Sequence, residues 1–162
     1  MSDYNIHKKS PLADNSREVI FLNDKEFLNL ISKNAEMGKV GIDAVIDYTK
    51  DERMREALRT QGKEYDKIYA EAQEMLKSRN MKPEHLNPMA KISSEFTSAM
   101  KTMTDHSAAK IAEMMIQGST MGVTKLMKNR GDYDGKDEDI MSLSDKLLST
   151  EENNIKTMKG FF

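Results

Sequence analysis

Five polar residues lie on the predicted inward faces of helices, and they are the first candidates for chemistry. Stepping about 100° per residue along the apolar segments places one carboxylate on an inward face, that of Glu151 between Leu147 and Ile155. The other four side chains are uncharged at neutral pH: Asn34, Gln61, Tyr65 and Asn154. A carboxylate beside neutral hydrogen-bonding groups can form either a single metal site or a buried polar cluster.

These five residues carry too few negative charges to hold two divalent cations, which are usually bound by several carboxylates. We therefore predict no metal, no cofactor and no catalytic residue, and we expect a buried cluster in which every polar group is hydrogen-bonded. Two alternatives stay open. A single metal ion or small ligand could bind at Glu151, or the face assignment could be wrong and the residues could lie on the surface.

A second group of potential ligands would project to one side of one long helix: Glu95, His106 and Glu113. His106 and Glu113 are two helical turns apart, about 10 Å along the axis, which is too far for both to bind one ion. We interpret this group as a solvated flank that contains a histidine. The 14 methionines are compatible with a copper site or a flexible groove, but most coincide with predicted core positions, so core filling is their predicted role.

Composition excludes several classes of function. Cysteine is absent, which excludes disulfides, thiolate metal sites and a cysteine nucleophile. The 25 Lys and Arg residues nearly balance the 27 Asp and Glu residues, so neither nucleic acid nor an anionic membrane is a predicted partner. There is no glycine-rich phosphate loop, no run of roughly 18 apolar residues and no apolar core of a secretory signal in residues 1–16. We expect a cytoplasmic protein.

Four periodic segments must position the candidate residues. Helices are predicted over 24–49, 51–78, 89–127 and 138–158, and the three prolines lie outside them. The third helix is expected to be interrupted near Gly118 and Gly122 and to be followed by a turn-rich loop over 129–135. Each segment is apolar on one face, and four such faces close most simply into a bundle. The predicted fold is therefore all-α, an antiparallel four-helix bundle over 24–162 preceded by a flexible arm over 1–23.

The pattern also predicts which apolar residues lie in the core and how the helices connect. In the third segment the predicted core positions include Met114 and Met121. Apolar residues off the predicted stripes are candidates for an oligomer contact: Met37, Val40, Met115 and Leu126. The short joint before residue 51 requires an antiparallel hairpin of the first two helices. The connection over 79–88 spans at most about 33–36 Å, so it could be a crossover along the bundle or a simple reversal.

Two stretches of the chain resemble the ferritin-like superfamily. Residues 38–76, GKVGIDAVIDYTKDERMREALRTQGKEYDKIYAEAQEML, are similar to the first hairpin of its uncharacterised bacterial members, and residues 147–162, LLSTEENNIKTMKGFF, to the last helix. A spore-coat-associated branch of the same superfamily is less similar. The resemblance covers about residues 25–160 and implies a ferritin-like four-helix bundle.

The resemblance also implies which metal ligands are missing. Members with a di-iron centre place one Glu on each of two helices and a Glu-x-x-His on each of the other two. This chain has no Glu-x-x-His. Lys67 stands three residues after Glu64, where the family has histidine, and its protonated amine would bring positive charge to the metals. Asn154 stands in the corresponding place after Glu151.

We therefore expect a non-enzymatic, metal-free bundle that acts by self-association, as a homodimer, or through a protein partner. The alternative is a ferritin-like metal-binding protein, of the iron-storage or oxidoreductase type, with a degenerate site. A third hypothesis is the binding of a small molecule between the helices, and a pocket near Gln61 would be its sign.

Overall fold

The computed structural model describes residues 21–84 and 89–162, and this part of the chain is all-α, as predicted. It contains five α-helices, followed by one turn of 3-10 helix over Lys159–Phe161. The helices are α1 (Asp24–Val45), α2 (Glu52–Ser78), α3 (Met89–Thr102), α4 (Ala108–Asp132) and α5 (Glu138–Met158). The predicted arm falls outside the described residues over 1–20. At its end, Leu22 forms an isolated parallel bridge with Tyr133.

Local capping chemistry explains where the helices begin. Four of them start after a short polar side chain that accepts a backbone N–H from the first turn: Asn23, Asp51, Ser107 and Asp137. In α1 the cap is a complete capping box, because Glu26 N donates to Asn23 and the Glu26 carboxylate accepts from Asn23 N. Each such cap stabilises its helix by about 1 kcal/mol. The predicted starts at residues 24, 51 and 138 lie within one residue of the observed starts.

The prediction of one helix over 89–127, interrupted near its glycines, is wrong. The break lies at 103–107, and the chain is helical through both Gly118 and Gly122. At the break, Ser107 N donates to Asp105 Oδ1 at 2.8 Å and the Ser107 hydroxyl caps α4. This capping chemistry starts a new helix, whereas each glycine inside α4 costs only about 1 kcal/mol, which packing can offset.

Two further expectations for this part of the chain are wrong: the shared face of Glu95, His106 and Glu113, and the loop over 129–135. His106 lies in the break, where its Nε2 is 2.9 Å from Met100 O, so it does not share a helix face with Glu95 and Glu113. The predicted loop over 129–135 is helical as far as Asp132.

The break also shifts the phase of the apolar pattern, because a helix face cannot be extrapolated across a non-helical turn. Met115 and Leu126, predicted to be available for an oligomer contact, are 8% and 1% exposed. Met121, predicted to lie in the core, is 74% exposed. Met37 and Val40, the other candidates for that contact, are half-buried.

The four longer helices pack side by side around one apolar core. The packed neighbours are α1 with α2, α2 with α5, α5 with α4, and α4 with α1. Contacts between distant residues fix their directions. Arg79, at the end of α2, binds Asp137 at the start of α5, and Arg130, near the end of α4, binds Asp145 on α5. The Phe27 ring of α1 lies 4.6 Å from the ring of Tyr133, just after α4. Each of these pairs is antiparallel.

The connection between α2 and α4 is a crossover along the bundle. After α2, Glu84 N donates to Asn29 Oδ1 at 2.7 Å, which places this point beside the start of α1. The His106 ring, just before α4, lies 4.9 Å from the ring of Tyr48, just after α1. The intervening chain therefore travels the length of α1, and α3 packs on that helix. None of the described helices is both long and apolar enough to cross a membrane.

Candidate functional site

A layer of polar side chains crosses the middle of the bundle, inside an otherwise apolar core. Each of the four longer helices contributes to it: Asn34 from α1, Tyr65 from α2, Ser119 from α4, and Glu151 with Asn154 from α5. The last four are all at most 5% exposed. Buried polar groups are stable only when they are paired, so the contacts within this layer decide what it can do.

The Tyr65 hydroxyl is the centre of this layer. It donates to Glu151 Oε2 at 2.7 Å and accepts from Asn154 Nδ2 at 3.0 Å. The Ser119 hydroxyl contacts both Tyr65 and Glu151 and lowers the pKa of each. The Tyr65 hydroxyl thereby joins α2 to α5. We call Tyr65, Ser119, Glu151 and Asn154 the polar cluster.

Two glycines make room for the polar cluster. A Cβ on Gly38 of α1 would lie 2.6 Å from both Cε atoms of the Tyr65 ring. A Cβ on Gly122 of α4 would lie 2.7 Å from Glu151 Oε1 and 3.2 Å from Asn34 Oδ1. At both glycines the shortest of these distances is below a van der Waals contact, so a larger residue at either position would displace the cluster.

The protonation states follow from burial. Burial raises the pKa of Glu151 above its ordinary value of 4.5, and the hydrogen bonds from Tyr65 and Ser119 oppose this rise. Burial and the adjacent Glu151 carboxylate raise the pKa of Tyr65 far above its ordinary value of 10.0. Tyr65 therefore stays protonated and acts as a hydrogen-bond donor to Glu151.

The five residues singled out from the sequence separate into three groups. Glu151, Tyr65 and Asn154 are brought together and are hydrogen-bonded, as expected. Asn34 lies beside them, where its Nδ2 donates to Gly122 O at 3.1 Å. Gln61 is buried, but neither its Oε1 nor its Nε2 has a hydrogen-bond partner among the described residues. The expectation that every group in the cluster is paired is therefore wrong for Gln61, which lies one turn before Tyr65 on α2.

Sequence reasoning missed Ser119 and the role of Gly122. Both lie on the inner face of α4, since Met115, Ser119, Gly122 and Leu126 follow one another at intervals of three or four residues. This spacing is present in the sequence, but it identifies the inner face only when α4 is taken to begin after Ser107. A phase carried over from α3 turns this face away from the core.

The arrangement is suited to holding helices in register and poorly suited to binding a metal. Glu151 is the one carboxylate in the layer, and no group of three or more Asp, Glu, His or Cys side chains within residues 21–84 and 89–162 is placed to hold a metal ion. The partners of Glu151 in the polar cluster are neutral donors, which satisfy an anion and do not attract a cation.

A groove of about 640 Å³ lies next to the polar cluster, between α2 and α5. Gln61 and Asn154 line it together with three threonines and Asn153. Asn154 therefore connects the groove to the cluster, because its Nδ2 is bonded to Tyr65. The third hypothesis, binding of a small molecule between the helices, predicted a pocket near Gln61, and this groove lies there.

Comparison with protein-family models, with curated proteins and with solved structures finds no match to this chain.

Proposed function

We propose that this chain is a non-enzymatic, ferritin-like helical bundle that acts by self-association, with a protein partner as the alternative. Support for the ferritin-like arrangement comes from topology. Ferritin-like bundles have one long crossover connection, and the chain between α2 and α4 runs the length of α1. Glu84 beside Asn29 and His106 beside Tyr48 mark the two ends of this path.

The observation that carries the non-enzymatic part is the composition of the polar layer. A di-iron centre needs several carboxylates and two histidines facing one another. The layer has Glu151 as its carboxylate, and asparagine, serine and tyrosine at the neighbouring positions. The Glu151 carboxylate already accepts a hydrogen bond from Tyr65 at 2.7 Å, so a metal ion would have to compete with that bond.

Iron binding by the purified full chain tests this part. We expect anaerobic titration with Fe²⁺ to give less than one bound equivalent, and aerobic addition to give no faster oxidation of Fe²⁺ than buffer gives. Glu151→Gln should behave as the unchanged protein does. About two bound equivalents, or oxidation that Glu151→Gln abolishes, would overturn the proposal in favour of a ferritin-like metal-binding protein with unusual ligands.

The outward face of α4 supports the self-association part. On this face Met121 is 74% exposed. Gly118, one turn before Met121, has no atom within 4 Å of the place where a Cβ would be. A large exposed apolar side chain next to an open glycine forms a surface that a second helix can approach closely. Methionine suits such a surface because its flexible side chain adapts to a partner.

Sedimentation equilibrium tests self-association. We expect the unchanged chain to form a dimer and Met121→Glu to weaken dimerisation at least tenfold, because a carboxylate would be buried in the contact. Ala70→Glu is the matched control, since it places the same charge on an exposed position of α2 and should leave dimerisation unchanged. A chain that is monomeric at every concentration, or an equal effect of both variants, would contradict the α4 contact.

A further inference from the structure

The groove between α2 and α5 has the size of a small-molecule site and an uncharged polar lining. Its volume of about 640 Å³ falls within the range of about 300–1,000 Å³ that is usual for such sites. Six of its lining residues have neutral hydrogen-bonding side chains: Thr60, Gln61, Thr150, Asn153, Asn154 and Thr157. Such a lining places donors and acceptors beside apolar surface, so it can pair with the polar groups of a ligand and pack against the rest of it.

Gln61 is the second, independent observation at the groove. The residue is 4% exposed, and neither its Oε1 nor its Nε2 has a partner among the described residues. A buried amide without partners is unfavourable, because it has given up hydrogen bonds to water and gained none in return. Proteins leave few such groups, and each needs an explanation. A bound molecule that pairs with the amide supplies one.

The charged residues of the groove are engaged at its rim. Glu56 lies 3.4 Å from Arg59, and Glu64 lies 2.6 Å from Lys67. The guanidinium of Arg53 lies over the ring of Phe161, 5.5 Å from its centre. The two carboxylates of the lining are therefore paired with cations, while the exposed guanidinium of Arg53 keeps its charge at the rim. The remaining uncharged polar side chains are suited to a neutral ligand. Arg53 and Glu56 are exposed, so their side chains can change rotamer when a ligand enters the groove.

We propose that this groove binds a small neutral molecule with an amide edge, such as a lactam, a primary carboxamide or a urea. The amide edge carries a donor and an acceptor side by side. It therefore pairs with both atoms of Gln61 at once, its N–H donating to Oε1 and its C=O accepting from Nε2. The threonine hydroxyls and Asn153 then provide contacts for the rest of the molecule. This site is independent of the contact proposed on α4, so either can fail without the other.

The test uses two probes of almost the same shape on the isotope-labelled full chain. The first is 2-pyrrolidinone, a lactam with an amide edge, and the second is N-methyl-2-pyrrolidinone, which lacks the N–H donor. In NMR titrations we expect 2-pyrrolidinone to shift the side-chain NH₂ signals of Gln61 in a saturable way. The N-methyl probe should bind at least about tenfold more weakly, because it loses one of the two hydrogen bonds and brings a methyl group against Oε1.

Two variants separate binding by Gln61 from general effects. Gln61→Leu removes the unpaired amide at nearly constant volume, so the chain should become more resistant to urea, and the backbone signals around the groove should no longer respond to 2-pyrrolidinone. Gln73→Leu is the matched control on the same helix, because Gln73 is already paired with Ser32 at 2.8 Å. It should keep the full response. No saturable shift, equal binding of both probes, or a response that survives in Gln61→Leu would overturn the proposal.

Discussion

The hydroxyl of Tyr65 links α2 to α5 in the bundle interior, and its removal should be costly. In Tyr65→Phe, the Glu151 carboxylate loses its 2.7 Å donor and Asn154 Nδ2 loses its acceptor. Leaving such buried groups unpaired costs about 1–3 kcal/mol. We expect Tyr65→Phe to lower the free energy of unfolding by about 2 kcal/mol, measured by urea denaturation. Tyr69→Phe, one turn away and outside the polar cluster, is the control. Equal effects of the two variants would contradict the role assigned to this hydroxyl.

Glu151 should make stability depend on pH in the opposite sense to most carboxyl groups. Burial raises its pKa in the folded chain above the ordinary value of 4.5. Between those two pKa values the folded state binds more protons than the unfolded state, so stability falls as pH rises. Above the raised pKa of folded Glu151 the chain has lost all of the stability that this group contributes. Below the ordinary pKa of 4.5 none of that stability is lost.

Comparison with Glu151→Gln isolates this effect, because the amide does not titrate. The free energy of unfolding of Glu151→Gln, relative to the unchanged chain, should increase as pH rises from the ordinary pKa of 4.5 to the raised pKa and then become constant. Glu152→Gln, at the exposed neighbouring position, should follow the unchanged chain throughout. A difference between Glu151→Gln and the unchanged chain that does not vary with pH would mean that burial does not raise this pKa.

At the scale of single helices, two glycines of α1 should respond oppositely to the same change. In Gly38→Ala the new Cβ would meet the Tyr65 ring at 2.6 Å, and the ring is held in place by its hydroxyl. We expect a loss of about 1–3 kcal/mol, which is usual for overpacking. Gly41 has no atom within 4 Å of its Cβ position, so Gly41→Ala should gain up to about 1 kcal/mol. Thermal unfolding of both variants checks the sign, and a gain in Gly38→Ala would contradict the close approach.

The helices were predictable from sequence where local signals and packing agree. Asn23, Asp51 and Asp137 are N-caps, and each of the helices that follow them buries one apolar face, as the one-sided pattern predicts. The break at 103–107 was not predicted because its decisive signal, the Ser107 cap, lies inside a long apolar pattern. Without that boundary, Met115 was assigned to the surface and Met121 to the core, the reverse of the structure.

The candidate site was predictable in part, for a related reason. Glu151, Tyr65 and Asn154 lie on inward faces that periodicity defines within single helices, and the structure brings them together. The state of Gln61 depends on which groups reach it from neighbouring helices. Periodicity gives the face of a side chain but not its partners across the bundle, so the unpaired amide and the groove beside it needed three-dimensional packing to be seen.

For the whole molecule, the crossover between α2 and α4 distinguishes this bundle from one built of successive hairpins. It places Asp105, just before α4, close to Asp47, just after α1, because the ring centres of His106 and Tyr48 are 4.9 Å apart. It also places Asp105 far from Lys77 at the end of α2. A simple reversal would exchange these two distances, since α4 would then begin where α2 ends. The two distances should differ by about the length of α2, which is about 40 Å for 27 residues that each rise about 1.5 Å.

Pairs of spin labels measure this contrast directly, and the absence of cysteine means that labels attach only at introduced positions. All three sites are exposed, so a label at any of them stands in solvent and does not enter the core. We expect Asp47→Cys with Asp105→Cys to give a distance below about 20 Å, and Lys77→Cys with Asp105→Cys to give one near the length of α2, about 40 Å. The opposite order would replace the crossover with a reversal. It would also remove the topological support for a ferritin-like bundle.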